Sequence, residues 1–264
     1  MYPRLFELGP VSFPAYGLFA AVALIAGLAL AMRLAARSGL RPDQIWNAGL
    51  LTVFVAAFSA RLLLIAGHWH DFLQYPMVML SIAVPRTPNT VLTRYALGAF
   101  FGLAYLSWRR IPWLPALDVV APAFALGQGL LAIGCFFAGC DYGRPTTLPW
   151  GVTFHSRWAL LWNGTPLGTS LHPVQLYLCV ADFAILALLL VWFPRRKQPG
   201  EIAGIWLFLT GLAQFFLGFF LASDVPVLFH GTIGLSQALG FAMVVAGCIL
   251  LLEQPRPPAV SVQA

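Results

Sequence analysis

Seven stretches of mostly apolar residues recur along the chain, at about 16–34, 46–67, 91–107, 117–139, 173–193, 202–222 and 232–252. Each has roughly the 20 residues a helix needs to cross the ~30 Å hydrocarbon core of a bilayer. In lipid, every backbone N–H and C=O must be satisfied inside the element, so these stretches are predicted to be spanning α-helices. Composition excludes the alternatives. Hydrophobic residues make up 60% of the 264 positions and charged ones only 9%, where a soluble domain carries about 25% charge. That is too little polar surface for a water-soluble fold and too much apolar surface for disorder. A further apolar run, 72–84, is short and broken by Pro76, and reads as interfacial or re-entrant.

The basic residues set the expected orientation. With the N-terminus outside, the inner side receives Arg33, Arg37, Arg41, Arg109, Arg110, Arg195, Arg196, Lys197 and Arg256, nine in all. The outer loops receive Arg4, Arg86, Arg94, Arg144 and Arg157, five spread over longer segments. The net charge of +6 is thus assigned to topology and anionic headgroups rather than to nucleic acid. The first helix is expected to be retained, because its apolar run is too long for a secretory signal and only Arg4 precedes it. No internal repeat is visible, which weakens a transporter built from inverted halves. The expected fold is an all-α integral membrane protein with seven transmembrane helices, N-out and C-in. It forms one domain over 1–264, with an outer-face cap at 140–172 and a flexible inner tail at 253–264.

Polar groups within spans are costly and mark candidate function. Arg61, near the outer end of the second span, can bind a lipid phosphate bidentately; snorkelling or an intramembrane ion pair is the plainer alternative. Asp118 opens the fourth span at the inner interface. Asp182 lies in mid-span in the fifth, where a carboxylate is protonated or paired, and a structural partner is the favoured reading. His68 and His70 flank the outer end of the second span and read as interfacial.

The densest constellation runs from Gly127 to Pro145: glycines that let helices approach closely, then Cys-Asp-Tyr-Gly-Arg-Pro, which turns the chain at the outer interface. Arg144 there can reach headgroup phosphates. Cys135 and Cys140 are five apart and share a face only if the helix loosens near Gly139. Metal or redox work with His172 or Asp141 is conceivable, but buried cysteine as a small apolar residue is the commoner role. A second constellation, His172-Pro173-Val174-Gln175-Leu176-Tyr177, opens the fifth helix, with Pro173 suited to the first turn. It places an imidazole at the outer interface and turns Gln175 and Tyr177 into the bundle.

At these residues the chain resembles the bacterial prolipoprotein diacylglyceryl transferases. The matching positions are Gly9-Pro10-Val11, Tyr16-Gly17, Ala60-Arg61, Tyr95 to Gly98, and Gly134-Cys135 through Gly139-Cys140-x-Tyr142-Gly143-Arg144. His172-Pro173-x-Gln175-x-Tyr177, Gly204 and Ser236-Gln237 complete the set. The resemblance implies seven spans, N-out and C-in, in a bacterial inner membrane with the cap on the periplasmic side. It implies transfer of the diacylglyceryl group of phosphatidylglycerol to the thiol of a lipobox cysteine in a prolipoprotein signal peptide, with glycerol phosphate leaving. No cofactor or metal is expected, and a monomer among membrane lipids is. By the same resemblance His172, Tyr95 and Arg144 are candidate catalytic residues. Arg61, Arg144, Tyr16, Gly143, Gln175 and Tyr177 are candidates for binding the headgroup, and Gly134, Cys135, Gly139 and Cys140 form a motif.

The family pattern carries Arg, Arg and Glu at positions where this chain has Ala132, Gln214 and Gly218. It has Asn where Cys135 stands, and the two cysteines resemble a Gly-Cys-x-x-x-Gly-Cys branch of the family. These replacements keep a second reading open, a catalytically impaired homologue that binds lipid or lipoprotein. A thiol-redox or transport protein built on Cys135 and Cys140 is a third.

Overall fold

The computed structural model describes residues 4–8, 11–76, 88–222, 226–228 and 233–253. The long helices are α1 (Ala15–Arg37), α2 (Pro42–Gly67), α4 (Pro88–Trp108), α5 (Trp113–Ala138), α7 (Val174–Trp192), α8 (Glu201–Gly218) and α9 (Leu235–Leu252). Two short ones, α3 (Trp69–Gln74) and α6 (Arg157–Asn163), lie between them. The expected all-α architecture is present, and among the described residues three antiparallel pairs of short strands join or flank the helices. They are β1 (Arg4–Leu8) with β2 (Val11–Pro14), β3 (Val152–Thr153) with β4 (Ser170–Leu171), and β5 (Pro226–Leu228) with β6 (Ile233–Gly234). Most of the run 72–84 and the tail beyond 253 lie outside the described residues.

Among the described residues six helices are long and apolar enough to cross a membrane: α1, α2, α5, α7 with the turn that follows it, α8 and α9. The seventh expected span is the 21-residue α4. It lies along α2, where Gly98 and Gly102 leave room for Thr52, whose Oγ1 is satisfied by the Ala48 carbonyl at 2.8 Å. The outside of the bundle is apolar; Phe54, Phe100, Phe241 and Val180 are each at least 60% exposed. An apolar surface of that extent belongs in lipid rather than in water.

Helix α5 is the hub, packing against α1, α7 and α8, while α2 and α4 pair on one flank and α8 and α9 on the other. The core packs Ala31, Leu34 and Ala35 of α1 and Ile45 of α2 against Val119 and Ala125 of α5. It continues to Leu189 of α7 and Ile202 of α8. The α8–α9 contact is close because Gly204, Gly211 and Gly218 face Gly247, Gly240 and Gln237, the small-residue packing that replaces a hydrophobic driving force in lipid.

One end of the bundle is held by polar contacts that carry most of the basic residues. Arg196 donates to Ser38 Oγ at 2.9 Å and stacks over Phe193 at 3.8 Å; Arg41 donates to the Arg109 carbonyl at 3.3 Å. The N-cap of helix α8 is Gly200 (φ +95°), which has no side chain to cap it. Asp118 of α5 supplies the cap instead. Its carboxylate, in a residue 1% exposed, accepts the Gly200 N–H at 2.7 Å and the Ala203 N–H at 2.9 Å, where a helix N-terminus favours negative charge. Asp118→Ala strands both buried donors and is expected to cost about 3 kcal/mol, read as lowered thermal stability of the purified protein.

Candidate functional site

The opposite end of the bundle gathers the sequence motifs. Gly139 (φ +83°) adopts the left-handed conformation that closes a helix, its N–H donating to the Cys135 carbonyl at 2.8 Å. The turn brings Cys140 back over α5, and Cys135 and Cys140 form a disulfide. This corrects the reading of both as buried apolar thiols. The sulfurs and the Asp141 carboxylate lie within 4.8 Å of one another. In the disulfide the sulfurs carry no thiolate charge, so Asp141 alone offers a charged ligand there. The closed loop is short, and reduction, or Cys140→Ser, is expected to lower the stability of this end by about 2 kcal/mol on a chain-entropy account. Thermal unfolding with and without reductant measures it.

The loop 140–172 folds over the end of α5 around Phe154, Ala159 and Leu171. Thr165 Oγ1 donates to the Gly139 carbonyl at 2.7 Å, and Asn163 Nδ2 to that of Ala138 at 3.0 Å. Helix α6 presents Trp158 and Trp162 outward, their rings 5.4 Å apart, the aromatic pattern of a membrane interface. A recess of about 400 Å³ opens beside Pro145, lined also by Thr146, Thr147, Thr169 and Ser170.

Tyr142, Gly143 and Arg144 run between the end of α8 and the start of α7. The Arg144 N–H donates to the Phe220 carbonyl at 2.8 Å, and the Ala222 N–H to that of Tyr142 at 3.1 Å. On the other side the His172 N–H donates to the Arg144 carbonyl at 3.0 Å. Gly143 is buried at this crossing, where a Cβ would lie 2.7 Å from that of His172; its role is to let the strands meet. The Arg144 side chain is exposed. His172 packs 5.1 Å from the Phe220 ring, and its Nδ1 lies 3.4 Å from the Tyr177 hydroxyl. That hydroxyl accepts from Trp150 Nε1 at 2.8 Å. Trp150, whose sequence context carries no signal, is therefore part of the same cluster.

Gln175 is 1% exposed, and its Nε2 donates to the Cys140 carbonyl at 2.7 Å, so it braces the disulfide turn. Tyr16 opens α1 where that helix crosses α5 against Gly134: a Cβ there would lie 2.8 Å from that of Phe19 and 3.4 Å from Tyr16 Cα. Arg61 and Tyr95 come from the α2–α4 pair, which meets α5 mainly through α1, and Tyr95 is exposed. Two further residues lie away from this cluster. Asp182, expected in mid-span, is 3% exposed in the buried stripe of α7. Gly218 is covered by Gln237, whose Cγ would lie 2.5 Å from a Cβ there. Gln237 Oε1 accepts the Gly234 N–H at 2.9 Å and so caps α9.

Helices that fit a bilayer, with a histidine, an arginine and exposed tryptophans gathered at one end, define a multi-pass membrane protein. The chain belongs to the prolipoprotein diacylglyceryl transferase family, whose model matches residues 3–253. Among relatives, the phosphatidylglycerol–prolipoprotein diacylglyceryl transferase of Clostridium tetani is 30% identical over 223 residues, covering 83% of this chain and 85% of its own. The enzyme of that name from Mannheimia succiniciproducens is 31% identical over 262 residues, covering 95% and 91%. A second such transferase of Clostridium perfringens is 28% identical over 250 residues, covering 92% of both chains.

Proposed function

We propose that this protein transfers the diacylglyceryl group of phosphatidylglycerol to the lipobox cysteine of prolipoproteins, at the outer face of a bacterial inner membrane. The observation that carries the reading is the junction of Gly143-Arg144 with His172, which joins two of the motifs that carry the family resemblance. In the reaction a C–S bond forms from the substrate thiol while the C–O bond to the phosphodiester breaks. The thiol proton is lost, and glycerol phosphate departs with added negative charge. Arg144 faces that charge, and preorganised cations are worth most where charge develops. His172, held by Tyr177 and Trp150, is placed to take the thiol proton, since the thiolate is the nucleophile. Arg61, Tyr16 and Tyr95 line the approach of the lipid from the α1, α2 and α4 side. Gly143 and Gln175 serve by holding the loop.

The same reading takes seven crossings with the N-terminus outside, supported by the basic residues gathered at the end opposite the cap. The chain acts as a monomer. The test is the purified protein in phosphatidylglycerol vesicles with a lipobox peptide, followed by mass spectrometry. A diacylglyceryl thioether is expected, together with free glycerol phosphate. Lipid and peptide binding without either product would establish the impaired homologue in its place.

A further inference from the structure

One level of the bundle core, well below the site just described, carries buried polar oxygens with no partner among the described residues. Asp182 sits in the middle of the one buried stripe of α7, among Val174, Gln175, Ile185 and Leu189, and is 3% exposed. Thr210 of α8 is 1% exposed, and among the described residues its Oγ1 has no hydrogen-bond partner; the buried Oε1 of Gln128 on α5 has none there either. Buried polar atoms in native proteins are almost always paired, so two orphaned oxygens level with a buried carboxylate call for an explanation.

Contacts between the helices bring them to one height. The Ala203 N–H bonds Asp118, and Trp206 stacks on Phe124 with ring centroids 5.4 Å apart. Residues 203, 206 and 210 are spaced by three and four, so they run up the face of α8 that is turned to α5. Gln128 follows Phe124 by four on α5, and α5 and α8 run the same way. One turn beyond the stacked rings, Gln128 and Thr210 therefore face each other. On α7, Gln175 bonds the Cys140 carbonyl, and a Cβ on Gly129 would lie 3.2 Å from the Phe183 ring. That register places Asp182 within a turn of Gln128. The three helices pack on one another.

We propose that Asp182, Gln128 and Thr210 form a buried site for a monovalent alkali cation, with one oxygen ligand from each of three helices. The donor set is a carboxylate, an amide carbonyl and a hydroxyl, the hard oxygens that such ions take. No Lys or Arg occurs within α5, α7 or α8 to neutralise the carboxylate. A proton on Asp182 would satisfy one of the two orphaned acceptors, whereas a cation engages all three groups together. A single carboxylate balances one positive charge; a divalent ion would leave uncompensated charge in the core. Trp206 Nε1, also without a partner among the described residues, can only donate and so suits a carboxylate oxygen.

The experiment is thermal unfolding of the full chain in detergent, in sodium, potassium or choline chloride at equal ionic strength. A saturable rise in Tm with one alkali cation over choline is expected, as binding to the folded state requires. Thr210→Val and Gln128→Leu should weaken the apparent affinity at least tenfold, and Asp182→Asn should abolish the effect. Ala132→Arg, one turn above Gln128, supplies a tethered cation and should make stability independent of salt identity. Retention of radioactive sodium by the unaltered protein, displaced by unlabelled sodium, provides a readout should Asp182→Asn fail to fold. Equal stability in all three salts, or cation dependence that survives in Thr210→Val and Gln128→Leu, overturns the proposal.

Discussion

Arg144→Ala is expected to slow diacylglyceryl transfer by about 10²–10³-fold, the effect of removing one preorganised donor from a developing negative charge. Folding should be untouched. What Arg144 contributes to the structure is its backbone, donating to Phe220 and accepting from His172, and both bonds persist in alanine. Its side chain is exposed, so no core contact is lost. Arg144→Lys keeps the charge but not the planar fork, and should recover part of the rate. Initial rates of thioether formation at several lipid concentrations separate the cases. A fall in kcat assigns Arg144 to the transition state, whereas a rise in KM alone would make it a headgroup anchor. A drop of less than threefold in kcat/KM would remove Arg144 from the mechanism.

Gly211→Val is expected to destabilise the fold by about 3 kcal/mol or more, at the upper end of overpacking costs. A Cβ at 211 would meet the Gly240 carbonyl oxygen at 2.6 Å and the Val244 nitrogen at 2.8 Å. Both are backbone atoms of α9, so no rotamer change relieves the clash, and the two helices must separate along their whole length. The same seam carries Gly218 and Gln237, and separation should also disturb the end of α8 that holds Arg144. Loss of monodisperse protein on size exclusion, with activity falling in proportion to the folded fraction, is the expected signature. A stable, active Gly211→Val protein would mean that α9 is held by something other than this contact.

The helices were legible because a bilayer imposes one length and one composition on whatever crosses it. Their ends were less so: α2 begins at Pro42 and α5 at Trp113, each four residues before the apolar run, since a helix continues into the headgroup layer where hydropathy is silent. The strand pairs left no mark, because strands of two to five residues offer too few positions for a period to stand out. His172 and Arg144 could be singled out as chemical groups, but their junction rests on backbone bonds that any residue could make. The cysteine pair shows the limit best. Five residues apart on an ideal helix, the two side chains diverge by about 140° at 3.6 residues per turn, and they meet only because Gly139 turns left-handed. Gln175 reads as inward from its spacing, yet its partner, the Cys140 carbonyl, is 35 positions away in the chain.

The disulfide gives the choice of buffer chemical consequences. A preparation kept in phosphine or dithiothreitol and one handled in air are two different molecules at the end of α5. The first exposes a vicinal pair of soft nucleophiles, beside a carboxylate, to maleimides and trace heavy metals. Assays that add reductant to protect the acceptor peptide therefore alter the catalyst along with the substrate, and rates measured under the two regimes belong to separate species.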